Sequence, residues 1–224
     1  MTSGPKSEAA PAGMAHVVVM AKAPTAGLAK TRLAPVLGAE GAARLAEQLL
    51  DHAVAQAVAA GLGGVTLWAT PDTRHPAFVR LHAQHGCGLQ TQIDGDLGRR
   101  MAAAFASTFE QHHGAVLLMG TDLPGLTAAT LQTAAAQLVH HDAVFVPALD
   151  GGYGLVGLRP CTARTLRLLF DDMQWSQPQV MAQTRLRLAA AGLRHGELPA
   201  VADIDTADDL IHLPAGWLGS TAPR

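Results

Sequence analysis

Cysteine is nearly absent from this chain of 224 residues: Cys87 and Cys161 lie far apart and match no zinc or redox spacing. Nothing asks for a disulfide, so a reducing cytoplasm is the default compartment. Charge is also scarce. Charged residues make up 15%, the net charge is −2, and no basic stripe follows residue 32. That balance argues against nucleic-acid and acidic-membrane partners. Long apolar runs are missing too. The longest Ala-rich segment, 42–62, is interrupted by Arg44, Glu47, Asp51 and His52, so it reads as an amphipathic helix and not a membrane span. Residues 1–14 are polar and rich in Gly, Pro and Ala, without the apolar centre of a signal peptide. They read as a disordered tail, with Met14 an alternative start. Aromatics number only five Phe, three Trp and one Tyr, yet 49% of the chain is hydrophobic, enough for a sizeable core.

What is present is a rhythm. Apolar runs at 16–21, 65–70, 89–92, 115–120, 143–148, 153–158 and 193–198 alternate with helical patterns at 39–60, 75–85, 98–112, 128–138, 163–170 and 178–191. Strand followed by helix, repeated, predicts one α/β domain with a mostly parallel sheet and helices on both faces. Asp150-Gly151-Gly152 joins two apolar runs directly and predicts a hairpin, hence a small antiparallel element. The expected domain spans 15–213, with 214–224 a C-terminal tail. Ser176-x-x-Gln179 and Thr206-x-x-Asp209 both read as capping boxes.

The first strand leads into Lys22-Ala-Pro24-Thr-Ala-Gly27-Leu-Ala-Lys30-Thr31-Arg32-Leu33. Three of the chain's 16 Lys and Arg residues fall within residues 22–32. Open α/β sheets bind ligands at the carboxyl ends of their strands. Close cations there suit an anion such as a nucleotide's phosphates, although a solvated basic loop has the same composition. The segment is not a P-loop: Ala29 and Pro24 occupy the positions that need glycine.

Two acidic segments answer the basic one. Asp122, in Gly120-Thr-Asp-Leu-Pro124, leaves the fourth strand at the same sheet edge. A carboxylate there is compatible with phosphate if a Mg²⁺ ion lies between them; the plainer alternative is a turn before Pro124. In Asp203-Ile204-Asp205, the two acids point the same way if the backbone is extended, and one of them could complete a metal's ligands. The plainer alternative is a helix start. His82-x-x-His85-x-Cys87 lacks a fourth ligand nearby and reads as a surface helix. None of the 11 histidines is assigned to catalysis.

Together, the basic loop, the Asp122 segment, Asp150-Gly151-Gly152-Tyr153 and Asp203-Ile204-Asp205-Thr206-x-Asp208-Asp209-Leu210 resemble the DUF2064 family. That family is also called radical-SAM/selenodomain-associated transferase 1, of the nucleotide-diphospho-sugar transferase superfamily with the GT-A fold. The likeness runs over about residues 16–212. The first loop is similar to that of 2-phospho-L-lactate guanylyltransferase and, more loosely, of molybdenum-cofactor nucleotidyltransferases. The resemblance implies that Lys22, Gly27, Lys30 and Arg32 hold nucleotide phosphates, and that Asp122 and Asp205 bind Mg²⁺ or Mn²⁺. It implies that Gly95, Asp96 and Gly98 contact the base or ribose, and that Asp150, Gly151, Gly152 and Tyr153 face the acceptor. Trp175 and Ser176 join that pocket unless they serve packing and capping. Two departures stand out: the Asp-x-Asp of many glycosyltransferases is reduced to Asp122, and the Gly-rich loop of pyrophosphorylases is replaced by the Lys-Pro form.

Three cations and a metal suit the charge of an NTP and of leaving pyrophosphate. The expected reaction is therefore nucleotidyl transfer to a small phosphorylated or carboxylated acceptor, with Lys22, Lys30, Arg32 and Asp122 carrying it. The alternatives are glycosyl transfer from an NDP-sugar and nucleotide binding without catalysis. A homodimer is left open.

Overall fold

The computed structural model describes residues 15–217; the expected tail 1–14 lies outside them, as does 218–224. Seven strands are present: β1 (Ala15–Lys22), β2 (Val65–Thr70), β3 (Gly88–Thr91), β4 (Ala115–Met119), β5 (Ala143–Pro147), β6 (Tyr153–Leu158) and β7 (His195–Glu197). They alternate with α1 (Ala34–Ala59), α2 (Pro76–His85), α3 (Leu97–Gln111), α4 (Ala128–Gln137), α5 (Ala163–Phe170) and α6 (Val180–Ala190). The sheet order is β3-β2-β1-β4-β6-β5-β7. Only β6 runs antiparallel, to both β4 and β5. The hairpin through Asp150 produces that reversal, as the glycine pair predicts.

β1 is central, and its alternating side chains feed two cores. Val17, Val19 and Ala21 pack with α1, α2 and α4 on one face. Val18 and Met20 pack with α3, α5 and α6 on the other. This double burial explains why β1 reads as a continuous apolar run and not as an alternating one. α1 is interrupted at Gly38, whose φ of 71° and ψ of 164° break the helical path. The continuous helical pattern therefore begins at residue 39.

One local expectation is corrected. Ser176 caps no helix: it sits at φ 60°, and α6 begins after Gln179 without a side-chain cap. Trp217 lies past the expected boundary at 213. The Trp217 indole packs against Leu33, Ala42, Leu45, Leu49 and Ile204, and its ring meets that of His52 at 5.3 Å. Apolar area on that indole gains more from the small cluster than from water. Thr206 does form its capping box with Asp209, opening a 3-10 turn at Ala207–His212.

Candidate functional site at the carboxyl edge of β1 and β4

The loop after β1 is closed by its own atoms. Lys22 Nζ donates to the Leu28 carbonyl at 2.7 Å, and Gly27 supplies the turn at φ 76° with open space around it. The chain then enters Lys30 at φ 48° and ψ 43° before a short 3-10 turn, Thr31–Leu33. Leu33 is fully buried and anchors this turn in the small cluster under the loop.

The Asp203–Asp205 segment belongs to the same cluster through Ile204, which is also fully buried. Ile204 N–H donates to the Asp122 carbonyl at 2.9 Å, and the Ile204 carbonyl accepts from Lys30 Nζ. Burial of one isoleucine therefore ties together residues 30, 122 and 204. Its acidic neighbours, Asp203 and Asp205, turn away from the core as alternation requires.

The Lys30 ammonium lies 2.9 Å from Asp122 Oδ2 and 3.9 Å from Asp205 Oδ1. Its side chain is 6% exposed, against 48% for Asp122 and 40% for Asp205. Arg32 Nη1 reaches Asp205 Oδ2 at 2.5 Å from an exposed position. On the β4 side, His52 Nε2 bonds the Pro124 carbonyl at 3.0 Å and braces the turn that carries Asp122.

The two carboxylates fit a divalent ion, since they already converge on one cation. No group of three His, Cys, Asp or Glu residues is arranged to cage a metal among the described residues. A pair of carboxylates with the remaining positions left to phosphate oxygens is the usual setting for Mg²⁺.

Three cavities open along this edge, and one of them, of about 380 Å³, is lined by Arg32, Asp150, Asp203, Asp205 and His212 among others. On the β1–β2 side, one of about 410 Å³ is lined by Lys22, Thr25, Leu28, Asp72, Arg74 and His75, among others. Asp72, Arg74 and His75 were not singled out by the sequence reading; their only signal was their position just after β2. Arg74 Nη2 pairs with Asp72 Oδ2 at 2.6 Å, and that guanidinium holds the Asp72 carboxyl below its ordinary range.

On the β4–β6 side, a cavity of about 250 Å³ is lined by Asp122, Asp150, Gly152, Tyr153, Trp175, Ser176 and Asp203, with Leu97 and Met101 on its α3 wall. Burial, then the charges of Asp150, Asp209 and Asp205, push the Asp203 carboxyl above the usual carboxylate range. Burial also pushes the Tyr153 phenol upward. Asp150 Oδ1 accepts from Gly152 N at 2.9 Å. Gly151, at φ 92°, faces Pro178, whose carbonyl oxygen would lie 2.1 Å from an added Cβ. No Lys, Arg or His lines this cavity. The adjoining cavity, which shares Asp150, Ser176 and Asp203 with it, adds the cation of Arg32 and the imidazole of His212.

The 95–98 segment has other work. Asp96 caps α3 by accepting from Arg99 N at 2.8 Å. An added Cβ on Gly98 would lie 2.3 Å from the Phe170 carbonyl and 2.7 Å from Trp175 Nε1. Gly98 thus permits α3 to meet the Trp175 loop. The segment borders the β4–β6 cavity through Leu97, away from the cavity beside Lys22.

The profile of family DUF2064, described as an uncharacterized protein conserved in bacteria, matches residues 53–177. A presumed nucleotide-diphospho-sugar transferase from Desulfovibrio desulfuricans G20 is 29% identical, with a TM-score of 0.80 over 92% of this chain and 89% of that one. A Methanothermobacter nucleotidyl transferase shares the fold at 16% identity, with a TM-score of 0.64 over 92% of this chain and 98% of that one. Rv0371c from Mycobacterium tuberculosis H37Rv, in complex with manganese, does so at 20% identity, with a TM-score of 0.52 over 88% and 97%. No curated protein matches this chain.

Proposed function

Because the chain belongs to the DUF2064 family, we propose that it is a nucleotide-dependent transferase moving a nucleotidyl group from an NTP to a hydroxylated acceptor. The single observation that carries this reading is the convergence of Lys30, Asp122 and Asp205 at the carboxyl edge of the sheet. The nucleotide lies over β1 and β2, its base side toward Asp72, Arg74 and His75 in the larger cavity. Its phosphates meet Lys22, Lys30 and Arg32.

Mg²⁺ or Mn²⁺, held by Asp122 and Asp205, would neutralise phosphate charge when bound. The chain's own residues do the remainder. The basic loop positions the polyphosphate, and the β4–β6 cavity orients the acceptor beside it. Asp203, whose carboxylate lines that cavity, takes the proton of the attacking hydroxyl. The two carboxylates left to the acceptor, Asp150 and Asp203, only accept hydrogen bonds, so the acceptor presents hydroxyl donors to them. The transferase named for Desulfovibrio and the Rv0371c complex with manganese support nucleotide use and a divalent ion. The two cysteines are free, which suits a reducing cytoplasm. No described helix is long and apolar enough to cross a membrane.

A second reading, glycosyl transfer from an NDP-sugar, is favoured by the same cavity, since carboxylates beside Trp175 suit a sugar as donor too. Product analysis with Mg²⁺ separates the two: pyrophosphate from an NTP supports the first and free NDP from an NDP-sugar the second. Nucleotide binding with neither product would leave a non-catalytic binder.

A further inference from the structure

We propose that the Lys30 ammonium is a resident counter-ion. It holds the Asp122–Asp205 pair together in the nucleotide-free protein, and it yields to a divalent ion only when that ion arrives with a polyphosphate. The inference rests on the reading of these two carboxylates as the metal-binding pair.

Three observations carry it. Lys30 is the buried member of the group, at 6% exposure, although lysine stems ordinarily keep their ammonium in water. The ammonium donates to two acceptors, Asp122 Oδ2 and the Ile204 carbonyl, and lies 3.9 Å from Asp205 Oδ1, a carboxylate that Arg32 pairs at 2.5 Å. The backbone of Lys30 also holds φ 48°, uncommon for a residue with a Cβ. That conformation lies between the loop and the turn anchored by Leu33.

The consequence follows from charge. An ammonium and a divalent ion repel, so both cannot use Asp122 at contact distance. Bare metal would expel Lys30 from its carboxylates and leave a nearly buried ammonium with only the Ile204 carbonyl as partner, which is costly. A polyphosphate removes that cost. Its oxygens accept from the displaced ammonium and complete the ion's ligands. Metal and nucleotide binding are therefore positively coupled, and by linkage each strengthens the other equally.

The test uses the full chain with Mn²⁺ as probe and no nucleotide, so its outcome is separate from that of the product analysis above. Mn²⁺ titration by electron paramagnetic resonance should find weak binding to the wild type. Lys30→Gln should bind about tenfold or more tightly, since a competing charge has gone. Unchanged or weaker Mn²⁺ affinity in folded Lys30→Gln overturns the proposal, and so does tight binding of bare Mn²⁺ by the wild type. A measurement free of mutation accompanies it: acylation of Lys30 in the wild type, followed by mass spectrometry. Its rate should stay low and unchanged on adding Mn²⁺ alone. A rise with Mn²⁺ alone means that bare metal displaces the lysine, and the idea fails.

Discussion

Lys30 carries more of this site than any other side chain. On the proposed reading, replacing it with alanine removes both a phosphate contact and the counter-charge beside Asp122. Turnover should fall about 100-fold or more, the scale of losing one transition-state donor, while the circular dichroism spectrum stays that of the wild type. Near-normal activity in Lys30→Ala would reject the basic-loop assignment. His16 tests a different residue-level effect. It is buried at the start of β1, stacked on His112 at 4.0 Å, with Nε2 bonded to Thr66 Oγ1 at 2.8 Å. Burial, and then the charge of His112, lower its pKa to about 4. The unfolded chain takes up a proton near 6.5, the folded one only near 4. The folded state therefore binds fewer protons between those values, and stability must fall as pH drops from 6.5 toward 4. The loss is at most about 3 kcal/mol. Chemical denaturation at pH 7 and at pH 5 should show this decline, and His16→Gln should flatten it. An equal decline in both proteins would assign the acid sensitivity elsewhere.

Elements are joined here by close approaches that tolerate little change. α3 meets the loop after α5 only because Gly98 lacks a Cβ. Gly98→Ala should cost about 1–3 kcal/mol as backbone and indole shift apart. It should also loosen the cavity wall formed by Leu97, Met101 and Trp175. A thermal melt reads the first effect. An unchanged midpoint would mean that α3 can move freely. The 3-10 turn after Asp205 is a second such junction. Asp209 Oδ2 accepts from Asp205 N at 3.0 Å, from Thr206 N at 2.6 Å and from Thr206 Oγ1 at 2.8 Å. Thr206→Ala removes one side of this box and should cost about 1 kcal/mol. It should also raise KM for the nucleotide more than it lowers kcat, because the cap steadies Asp205 without touching substrate. A selective fall in kcat would contradict that positioning role.

At the scale of the whole molecule, the chain should respond to ligand as a unit, since both sheet faces are packed into continuous cores. NTP with Mg²⁺ should raise the melting temperature more than either alone, and a hundredfold excess over Kd stabilises by about 2.7 kcal/mol. Equal shifts with and without Mg²⁺ would argue against the metal pair.

The alternation of strands and helices, the antiparallel turn at Asp150 and the charged segments at the strand ends were legible in the residues alone. They depend on local chemistry: period, glycine and the order of side chains along the backbone. Asp203 was legible as a partner of Asp205, but its entry into the β4–β6 cavity was not, and neither was the lining of the β1–β2 cavity by Asp72, Arg74 and His75. The Ser176 cap misled because a hydroxyl three residues before Gln179 satisfies the pattern whether or not the backbone is extended; here it is left-handed. Packing alone decided that Ile204 and Leu33 share one small cluster. Through it, packing decided that the ammonium of residue 30 faces the carboxylates of residues 122 and 205. Such contacts join parts of the chain whose separation no local pattern encodes, so they exist only once the sheet and its helices have closed around them.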